Sequence, residues 1–123
     1  SPSELRIPYH LKNSIIEKHN VKIFETTSLE EHINDVNVLY MTRIQKERFF
    51  SEDEYIKLKG SYILTPEKLK HARKDLLLMH PLPRVNEISY EVDMDPRAKY
   101  FEQARLGVFA RMALIALLLG RSH

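Results

Sequence analysis

An apolar run that two prolines interrupt is the feature that most constrains the fold of this chain. Residues 76–79 read Leu-Leu-Leu-Met, a short apolar stretch that is typical of a buried strand. Pro81 and Pro83 end this strand, because each lacks a backbone N–H group and has a fixed φ. The stiff turn that remains stands at the carboxyl end of a strand, where open α/β sheets bind small molecules. One interpretation of this turn is a ligand site, because its carbonyl oxygens can accept hydrogen bonds from the N–H groups of a ligand. The alternative interpretation is a proline-rich turn that only ends the strand.

The composition fits one globular domain and argues against several kinds of site. The chain has 123 residues, of which 19 are basic and 17 acidic, for a net charge of +2. This balance argues against a nucleic-acid partner. The absence of cysteine excludes disulfides, thiolate metal ligands and a cysteine nucleophile, and it is compatible with the cytosol. The chain opens without a signal-peptide pattern, and its longest apolar run, residues 113–119, is too short to span a membrane. We therefore expect a cytoplasmic protein without a membrane partner.

Short apolar segments alternate with segments of helical pattern along the first 80 residues. Two S-x-x-E capping boxes, which begin at Ser28 and Ser51, and the pair Thr65-Pro66 mark three helix starts, and Gly60 marks one helix end. The predicted helices are residues 8–20, 28–34, 51–59 and 65–74, and the predicted strands are residues 21–26, 36–41, 62–64 and 76–80. This order indicates an α/β fold with a mostly parallel sheet of about four strands and helices on both faces. A further strand is expected before the first helix of such a fold, so we interpret the chain as a fragment.

The last third of the chain has a different pattern. Residues 84–98 are polar and rich in turn formers, which predicts a loop of a length that is often functional. Residues 100–119 have a helical pattern, and Gly107 is expected to divide this helix into two segments. From Val108 onward apolar residues surround the helix axis, which predicts a helix that is buried on every side. One small domain has difficulty burying the apolar surface of this helix on every side.

A cluster of polar residues follows the predicted strand 36–41, at the edge where such sheets bind ligands. In an extended chain Arg43 and Gln45 point the same way. Together they offer a guanidinium fork and an amide, which suit a carboxylate ligand, and Glu47 is placed to hold Arg43 by a salt bridge. The alternative, which is the commoner outcome for such a run, is a solvated cluster of charges on a loop.

The six histidines show no pattern of a metal site. They lie on different predicted elements, at spacings that place no two on one face, so we expect no metal ion. With three glycines and none of the glycine-rich motifs, a phosphate-binding loop is not expected either. His80 adjoins the proline turn, where it is either a residue of the site or a packed histidine with a structural hydrogen bond.

The two strand-end motifs together resemble the aspartate-binding half of the aspartate carbamoyltransferase family. They are V-L-Y-M-T-R-I-Q-K-E-R-F at residues 38–49 and M-H-P-L-P-R-V-N-E-I at residues 79–88. Asp93, the pair Tyr100-Phe101 and the apolar C-terminal helix are similar as well, so the resemblance covers the whole chain. The sister ornithine enzymes typically carry His-Cys-Leu-Pro at the turn, whereas position 81 is Pro here.

The resemblance implies how a substrate would be bound and converted. Arg43 would bind the side-chain carboxylate of aspartate, with Gln45 beside it, and Glu47 would position Arg43. The carbonyl groups of Pro81 and Leu82 would contact the reacting amine and the carbamoyl group. The amine would attack the carbamoyl carbon of carbamoyl phosphate and release phosphate. Orientation and charge stabilisation would provide the catalysis, without a metal ion or an organic cofactor.

The resemblance also implies supporting roles around this site. Arg48 and Arg84 would bridge to the partner domain when the site closes. His80 and Pro83 would support the turn, and residues 46–59 would form a mobile loop over the aspartate.

A larger assembly is implied as well. Residues 1–123 would form a single aspartate-binding domain, and residues 108–120 would pack on a carbamoyl-phosphate domain that lies outside this sequence. The intact catalytic chain would be a homotrimer with sites at its subunit boundaries. The Leu82–Pro83 peptide bond is predicted to be cis, because X-Pro bonds adopt this form at low cost.

Some features depart from the pattern of the family. Its phosphate-binding half, and the arginine that holds the α-carboxylate of aspartate, lie outside this sequence, so the chain alone is expected to be inactive. Residues 104–107 read Ala-Arg-Leu-Gly, where family members usually have Ala-x-Asn-Gly. The alternatives are a carbamoyltransferase for another amino substrate, or a non-catalytic binding or assembly module that retains the fold.

Overall fold

The computed structural model describes residues 6–45, 51–59 and 62–121, and the chain divides into two compact units, Ser1–His32 and Ile33–His123. The first unit contains the helix α1, Tyr9–His19, which confirms the helix predicted over residues 8–20. Asn20 ends this helix in a left-handed backbone conformation (φ 49°), and its N–H group donates to the carbonyl of Ile16 at 2.9 Å. Asn is one of the residues that tolerate this conformation at a helix end.

The strand predicted at residues 21–26 is wrong. No strand occurs among the residues of the first unit that the structure describes. Phe24 is exposed, so this segment lacks the buried face that stabilises a strand. Glu25 holds the segment instead, because its carboxylate accepts hydrogen bonds from the N–H group of Ile7 at 3.1 Å and from Lys12 Nζ at 2.7 Å.

The helix predicted at residues 28–34 is also wrong, although part of its start signal is present. The N–H group of Glu31 donates to Ser28 Oγ at 3.4 Å, as in the first half of a capping box. Residues 30–35 nevertheless form turns. One capping hydrogen bond does not offset the conformational entropy that is lost when the first helical turn forms in so short a segment.

The second unit is built on a parallel pair of strands, β1 (Val38–Tyr40) and β2 (Leu77–Met79). Both lie within predicted strands and are shorter than predicted. Their register places Tyr40 opposite Met79 at the carboxyl ends. The pairing extends one residue further, because the N–H group of Met41 donates to the carbonyl of Met79 at 2.9 Å. The two segments that follow β1 and β2 therefore leave the sheet at the same edge.

The predicted sheet of about four strands is replaced, in the described part of the chain, by two strands with single bridges beside them. Leu64, from the predicted strand 62–64, makes one parallel bridge with Ile88. Leu78 of β2 makes another with Ala98, and it exchanges hydrogen bonds of 2.9 and 2.8 Å with the residues on either side of Ala98. The α/β character and the parallel pairing are confirmed. The segments around Ile88 and Ala98, which form these bridges, have sequences without a strand pattern.

The core of the second unit surrounds β2. Its fully buried apolar side chains are Ile33, Leu64, Leu69, Leu76, Leu78, Ile88, Val92 and Tyr100. Burying an aliphatic side chain of this size stabilises a fold by about 1.5–3 kcal/mol. Leu78 precedes the proline turn and Ile88 follows it, so the core fixes the chain on both sides of that turn.

The helix predicted over residues 65–74 is reduced to one turn, α3 (Pro66–Leu69). The chain beyond it is held by a side chain from a distant segment. Arg97 Nη1 donates to the carbonyls of Leu69 at 3.0 Å and of Arg73 at 3.1 Å. These two carbonyls also accept backbone hydrogen bonds, from the N–H groups of Ala72 at 3.2 Å and Leu76 at 3.3 Å, so Arg97 adds a second donor that ties this segment to a distant one.

Two short helices occupy the segments next to the strand ends. The helix α2 covers Glu52–Lys59, in agreement with the predicted helix 51–59, whereas its predicted end at Gly60 lies outside the described residues. The predicted loop 84–98 contains a 3-10 helix, Tyr90–Met94, whose Val92 is fully buried. This segment is therefore part of the core.

The last helix, α4, runs without a break over Tyr100–Leu118, so the predicted division at Gly107 is wrong. An α-helix tolerates one glycine at a modest cost. Gly120 follows the helix with φ 65°, the usual position of a terminating glycine. The predicted burial is not found in this chain, because these apolar residues of its second half are exposed: Val108, Phe109, Met112, Leu114, Ile115, Leu117 and Leu118. None of the described helices, α4 included, is long and apolar enough to cross a membrane.

Candidate ligand site at the ends of the parallel strands

The two motifs that follow β1 and β2 are tied together by one side chain of α4. Gln103 Oε1 accepts a hydrogen bond from the N–H group of His80 at 3.1 Å. Its Nε2 donates to the hydroxyl of Tyr40 at 3.0 Å. Gln103 thus connects the last residue of β1 with the first residue after β2, and it holds both segments at the carboxyl edge of the sheet. Open α/β sheets bind their ligands at this edge.

The proline turn has an uncommon backbone. The Leu82–Pro83 peptide bond is cis, which confirms the prediction. Leu82 has φ 49°, a left-handed conformation that branched side chains rarely adopt. In the part of the chain that the structure describes, neither the carbonyl of Pro81 nor that of Leu82 accepts a hydrogen bond. Both oxygens suit the N–H groups of a ligand.

A buried histidine and a buried glutamate support the turn from within. His80 Nε2 lies 2.6 Å from Glu87 Oε1, and the N–H group of Leu82 donates to His80 Nδ1 at 2.9 Å. Glu87 Oε2 accepts two further hydrogen bonds, from the N–H groups of Val85 at 3.1 Å and Asn86 at 3.0 Å. Burial opposes ionisation of Glu87, but these hydrogen bonds outweigh it and hold its pKa below the ordinary value. Of the two roles considered for His80, a residue that contacts the ligand or a packed histidine with a structural hydrogen bond, the structure agrees with the second.

Arg84 is bound within the chain. Its guanidinium forms a two-point pair with the Asp93 carboxylate, in which Nη2 lies 2.6 Å from Oδ2 and Nη1 bonds Oδ1. Arg84 Nη1 also donates to the hydroxyl of Tyr100 at 3.2 Å, and that hydroxyl donates to Asp93. The guanidinium lies 4.7 Å from the centre of the Tyr90 ring, within the range of a cation–π contact. The role of Arg84 as a bridge to another domain stays a prediction.

The charges of this cluster stabilise one another. The hydrogen bonds to Asp93 raise the pKa of Arg84 above its ordinary value, and the Arg84 guanidinium holds the pKa of Asp93 below its usual range. Burial, together with the Asp93 carboxylate, raises the pKa of Tyr100 to about 12. All three groups therefore keep these charge states at neutral pH.

A pocket opens beside the proline turn and contains one of the two predicted ligand residues. It is lined by Thr42, Arg43, Ile44, Tyr55, Tyr62, Val85, Asn86 and Glu87. A guanidinium, an amide, two phenols and the Glu87 carboxylate are thus grouped around a small space. Both oxygens of Glu87 already accept hydrogen bonds within the chain, and the guanidinium and phenols suit a small anion. Gln45 is exposed and does not line the pocket. Glu47 and Arg48 lie outside the described residues, so their roles stay predictions.

Sequence reasoning missed four residues that the fold brings to this site. Tyr62 lines the pocket from a segment with no ligand motif, and Tyr55 lines it from residues 46–59, which were expected to cover the aspartate although no residue of α2 was named as a contact. Asn86 and Glu87 lie in the quoted turn motif, where only the shared neighbourhood with His80 could have drawn attention to them. Among the described residues no three His, Asp or Glu side chains are grouped so as to hold a metal ion.

The arrangement is that of an α/β domain with a candidate ligand site at the carboxyl edge of a parallel sheet. The sequence model of the aspartate/ornithine carbamoyltransferase Asp/Orn-binding domain matches residues 5–118. The chain therefore belongs to the aspartate/ornithine carbamoyltransferase family.

The sequences and solved structures most similar to this chain include members of the same family. The chain is 68% identical over 120 residues to the aspartate carbamoyltransferase catalytic subunit of Alkaliphilus metalliredigens, and 55% identical to that of Clostridium botulinum; each match covers 98% of this chain and 39% of the relative. The catalytic subunit of M. jannaschii aspartate transcarbamoylase has a TM-score of 0.84 at 45% identity, over 99% of this chain and 40% of that one. The enzyme from Trypanosoma cruzi in complex with carbamoyl phosphate and aspartate has a TM-score of 0.81 at 36% identity, over 94% of this chain and 38% of that one. The chain thus spans about two fifths of the length of its relatives.

Proposed function

We propose that this chain is the aspartate-binding part of an aspartate carbamoyltransferase, which transfers the carbamoyl group of carbamoyl phosphate to the amine of aspartate in pyrimidine biosynthesis. The observation that carries the proposal is the position of Arg43 in a pocket beside the proline turn. A cation and a pair of carbonyl groups at one sheet edge complement the carboxylate and the amine of one amino acid. The names of the relatives and the T. cruzi complex with both substrates support the same substrates here.

In this proposal each element of the site has one task. The Arg43 guanidinium binds the side-chain carboxylate of aspartate, with Gln45 beside it when the site is closed. The carbonyls of Pro81 and Leu82 accept hydrogen bonds from the amine and from the carbamoyl NH₂ group. The neutral amine then attacks the carbamoyl carbon, and phosphate leaves with the electron pair of the broken C–O bond and takes up the proton that the amine nitrogen loses. Holding both reactants in this geometry provides most of the rate enhancement, without a metal ion or cofactor.

The remainder of the active enzyme comes from outside this chain. Carbamoyl phosphate needs several fixed donors, which we assign to a carbamoyl-phosphate domain that the exposed apolar half of α4 packs against. Arg48 and Arg84 would bridge to that domain, Glu47 would position Arg43, and residues 46–59 would cover the aspartate. A homotrimeric catalytic assembly and a cytoplasmic location belong to the same proposal.

The Arg43 guanidinium would distinguish aspartate from ornithine, the other substrate of the family. Ornithine carries an ammonium group on its side chain, which the Arg43 guanidinium would repel. Proline at position 81, where the ornithine enzymes typically have cysteine, agrees with this preference. A carbamoyltransferase for another amino substrate, or a module without activity, remains the alternative.

Calorimetry on the 123-residue chain tests the proposal. We expect L-aspartate to bind, and the bisubstrate analogue N-(phosphonacetyl)-L-aspartic acid to bind through its aspartate part, whereas L-ornithine should not bind. Arg43→Ala should abolish the binding, and Arg73→Ala is the matched control, because Arg73 is paired with Asp75 at 2.9 Å outside the pocket. Binding of L-ornithine in place of aspartate, or equal binding by Arg43→Ala and the control, would refute the assignment.

A further inference from the structure

Glu87 is a buried carboxylate without a task in the chemistry proposed above. It is 5% exposed, and its partner His80 is 1% exposed. Both carboxylate oxygens are used inside the protein, Oε1 by His80 and Oε2 by the N–H groups of Val85 and Asn86. Ionised groups are costly to bury, so a fold that retains this one needs it for its hydrogen bonds.

The hydrogen bonds around His80 determine which ring nitrogen carries the proton. The N–H group of Leu82 can only donate, so His80 Nδ1 must offer its lone pair at 2.9 Å. The ring proton is then on Nε2, which donates to the Glu87 carboxylate at 2.6 Å. An ionised carboxylate only accepts hydrogen bonds, and therefore it selects this neutral tautomer. The low pKa of Glu87 agrees with an ionised acceptor.

Leu82, which His80 connects to Glu87, has a backbone conformation that needs a stabilising hydrogen bond. Leu82 is held at φ 49°, where an L-residue with a side chain is strained. Its single N–H group is directed at the imidazole. In the other neutral tautomer the proton is on Nδ1, so this N–H group would face the N–H group of Leu82. The Leu82 amide would then lose its hydrogen bond to His80.

We propose that Glu87 is a positioning residue of the aspartate site, which acts through the tautomer of His80 to hold the Leu82 amide and so places the carbonyl groups of Pro81 and Leu82 for the substrate amine. The identity of the substrate rests on the proposed function. The tautomer and the Leu82 hydrogen bond are measurable without any substrate.

Nuclear magnetic resonance of the 123-residue chain tests the first link. In ¹⁵N-labelled protein, the couplings between imidazole nitrogens and ring protons distinguish the two neutral tautomers and the imidazolium. We expect His80 as the Nε2–H tautomer at neutral pH. The Nδ1–H tautomer or an imidazolium would overturn the proposal, and this result needs no variant that could fail to fold.

Two substitutions of His80 separate its two hydrogen bonds. His80→Asn keeps an oxygen near the place of Nδ1, so it can still accept from the Leu82 N–H group, but it loses the contact with Glu87. His80→Gln reaches toward Glu87 and removes the acceptor for Leu82. We expect hydrogen exchange at the Leu82 amide to accelerate about tenfold in His80→Gln and much less in His80→Asn, since one net hydrogen bond corresponds to about one decade. Equal exchange in both variants would overturn the proposal.

Glu87→Gln tests the selecting role of the carboxylate. A glutamine side chain turns one donor group toward its surroundings, so we expect a second His80 tautomer and faster exchange at Leu82. Asp75→Asn is the matched control, because it makes the same chemical change at an exposed ion pair. The Leu78 amide, which donates to the backbone carbonyl of Arg97 at 2.9 Å, reports whether the core is intact in every variant. A Glu87→Gln chain with the wild-type tautomer and wild-type Leu82 exchange would overturn the proposal.

A titration with L-aspartate distinguishes failure of this inference from failure of the proposed function. We expect His80→Gln to weaken binding by about tenfold while His80→Asn retains most of it. If L-aspartate does not bind to the wild-type chain although the tautomer and exchange results hold, the proposed function fails, whereas the support of the turn by Glu87 stands. If L-aspartate binds with one affinity to all variants, the positioning role fails and the proposed function stands.

Discussion

The pair formed by Arg84 and Asp93 should stabilise the fold in a way that depends on pH. The side chain of Arg84 is 9% exposed and that of Asp93 is 26% exposed. Removing one partner of a fully buried pair costs about 3–5 kcal/mol, whereas an exposed pair contributes about 0–1 kcal/mol. Asp93→Asn also takes a charged acceptor from the buried Tyr100 hydroxyl. We therefore expect this substitution to lower the free energy of unfolding by about 2–3 kcal/mol at neutral pH.

The pH dependence of this effect has a definite sign. Arg84 lowers the pKa of Asp93 in the folded chain, so the stabilisation is fully present above the unfolded value of about 4. It is lost as the pH falls through the lower pKa of the folded state, where Asp93 takes up a proton. Wild type and Asp93→Asn should therefore differ at neutral pH and converge in acid.

Urea unfolding followed by circular dichroism at several pH values measures this difference. Asp75→Asn, at an exposed pair, is the matched control and should leave the unfolding midpoint unchanged. The reasoning is refuted if Asp93→Asn has no larger effect than the control at neutral pH. It is also refuted if the difference between wild type and Asp93→Asn persists undiminished in acid.

Three further predictions concern function and assembly. The first uses a chimera in which this chain replaces the matching segment of the Alkaliphilus metalliredigens catalytic subunit. In this chimera Arg43→Ala should lower kcat/KM for aspartate by about two to four decades, because a charge-assisted contact in a closed site is worth about 3–5 kcal/mol. An equal loss in the equilibrium binding of carbamoyl phosphate would contradict the role of Arg43. The 123-residue chain alone should form no carbamoyl aspartate from the two substrates, and turnover near that of a family enzyme would refute this. The exposed apolar half of α4 should make the isolated chain associate in light scattering across a concentration series, and a double variant with Leu114→Lys and Leu118→Lys should stay monomeric; a wild-type chain that is monomeric at high concentration, with α4 ordered, would contradict this.

The parts of the fold that local pattern encodes were predictable from the sequence. The apolar runs before Met41 and His80 became the two paired strands, and the helical periodicity of the first and last helices was correct. The proline turn followed from the chemistry of proline, and its cis bond from the low cost of cis X-Pro bonds together with the family resemblance. Each of these features depends on neighbours in the chain, which a single sequence displays.

The parts that depend on distant contacts were not predictable. Nothing in the segment around Ala98 indicates that it pairs with β2. Nothing near residue 70 indicates that Arg97 donates to the carbonyls of Leu69 and Arg73. The same holds for the site, where Arg43 was predicted from its position after a strand but the burial of Glu87 behind His80 was not. Hydrogen bonds between remote segments leave no periodic trace in the sequence.

The most direct test of the proposed function is steady-state activity of the chimera with the Alkaliphilus metalliredigens subunit. The two sequences are 68% identical over the exchanged segment, so the chimera should assemble with its carbamoyl-phosphate domain intact. The account predicts that the chimera forms carbamoyl aspartate from carbamoyl phosphate and aspartate, and that it does not carbamoylate ornithine. A folded chimera that binds carbamoyl phosphate but does not use aspartate, or that prefers ornithine, would contradict the account.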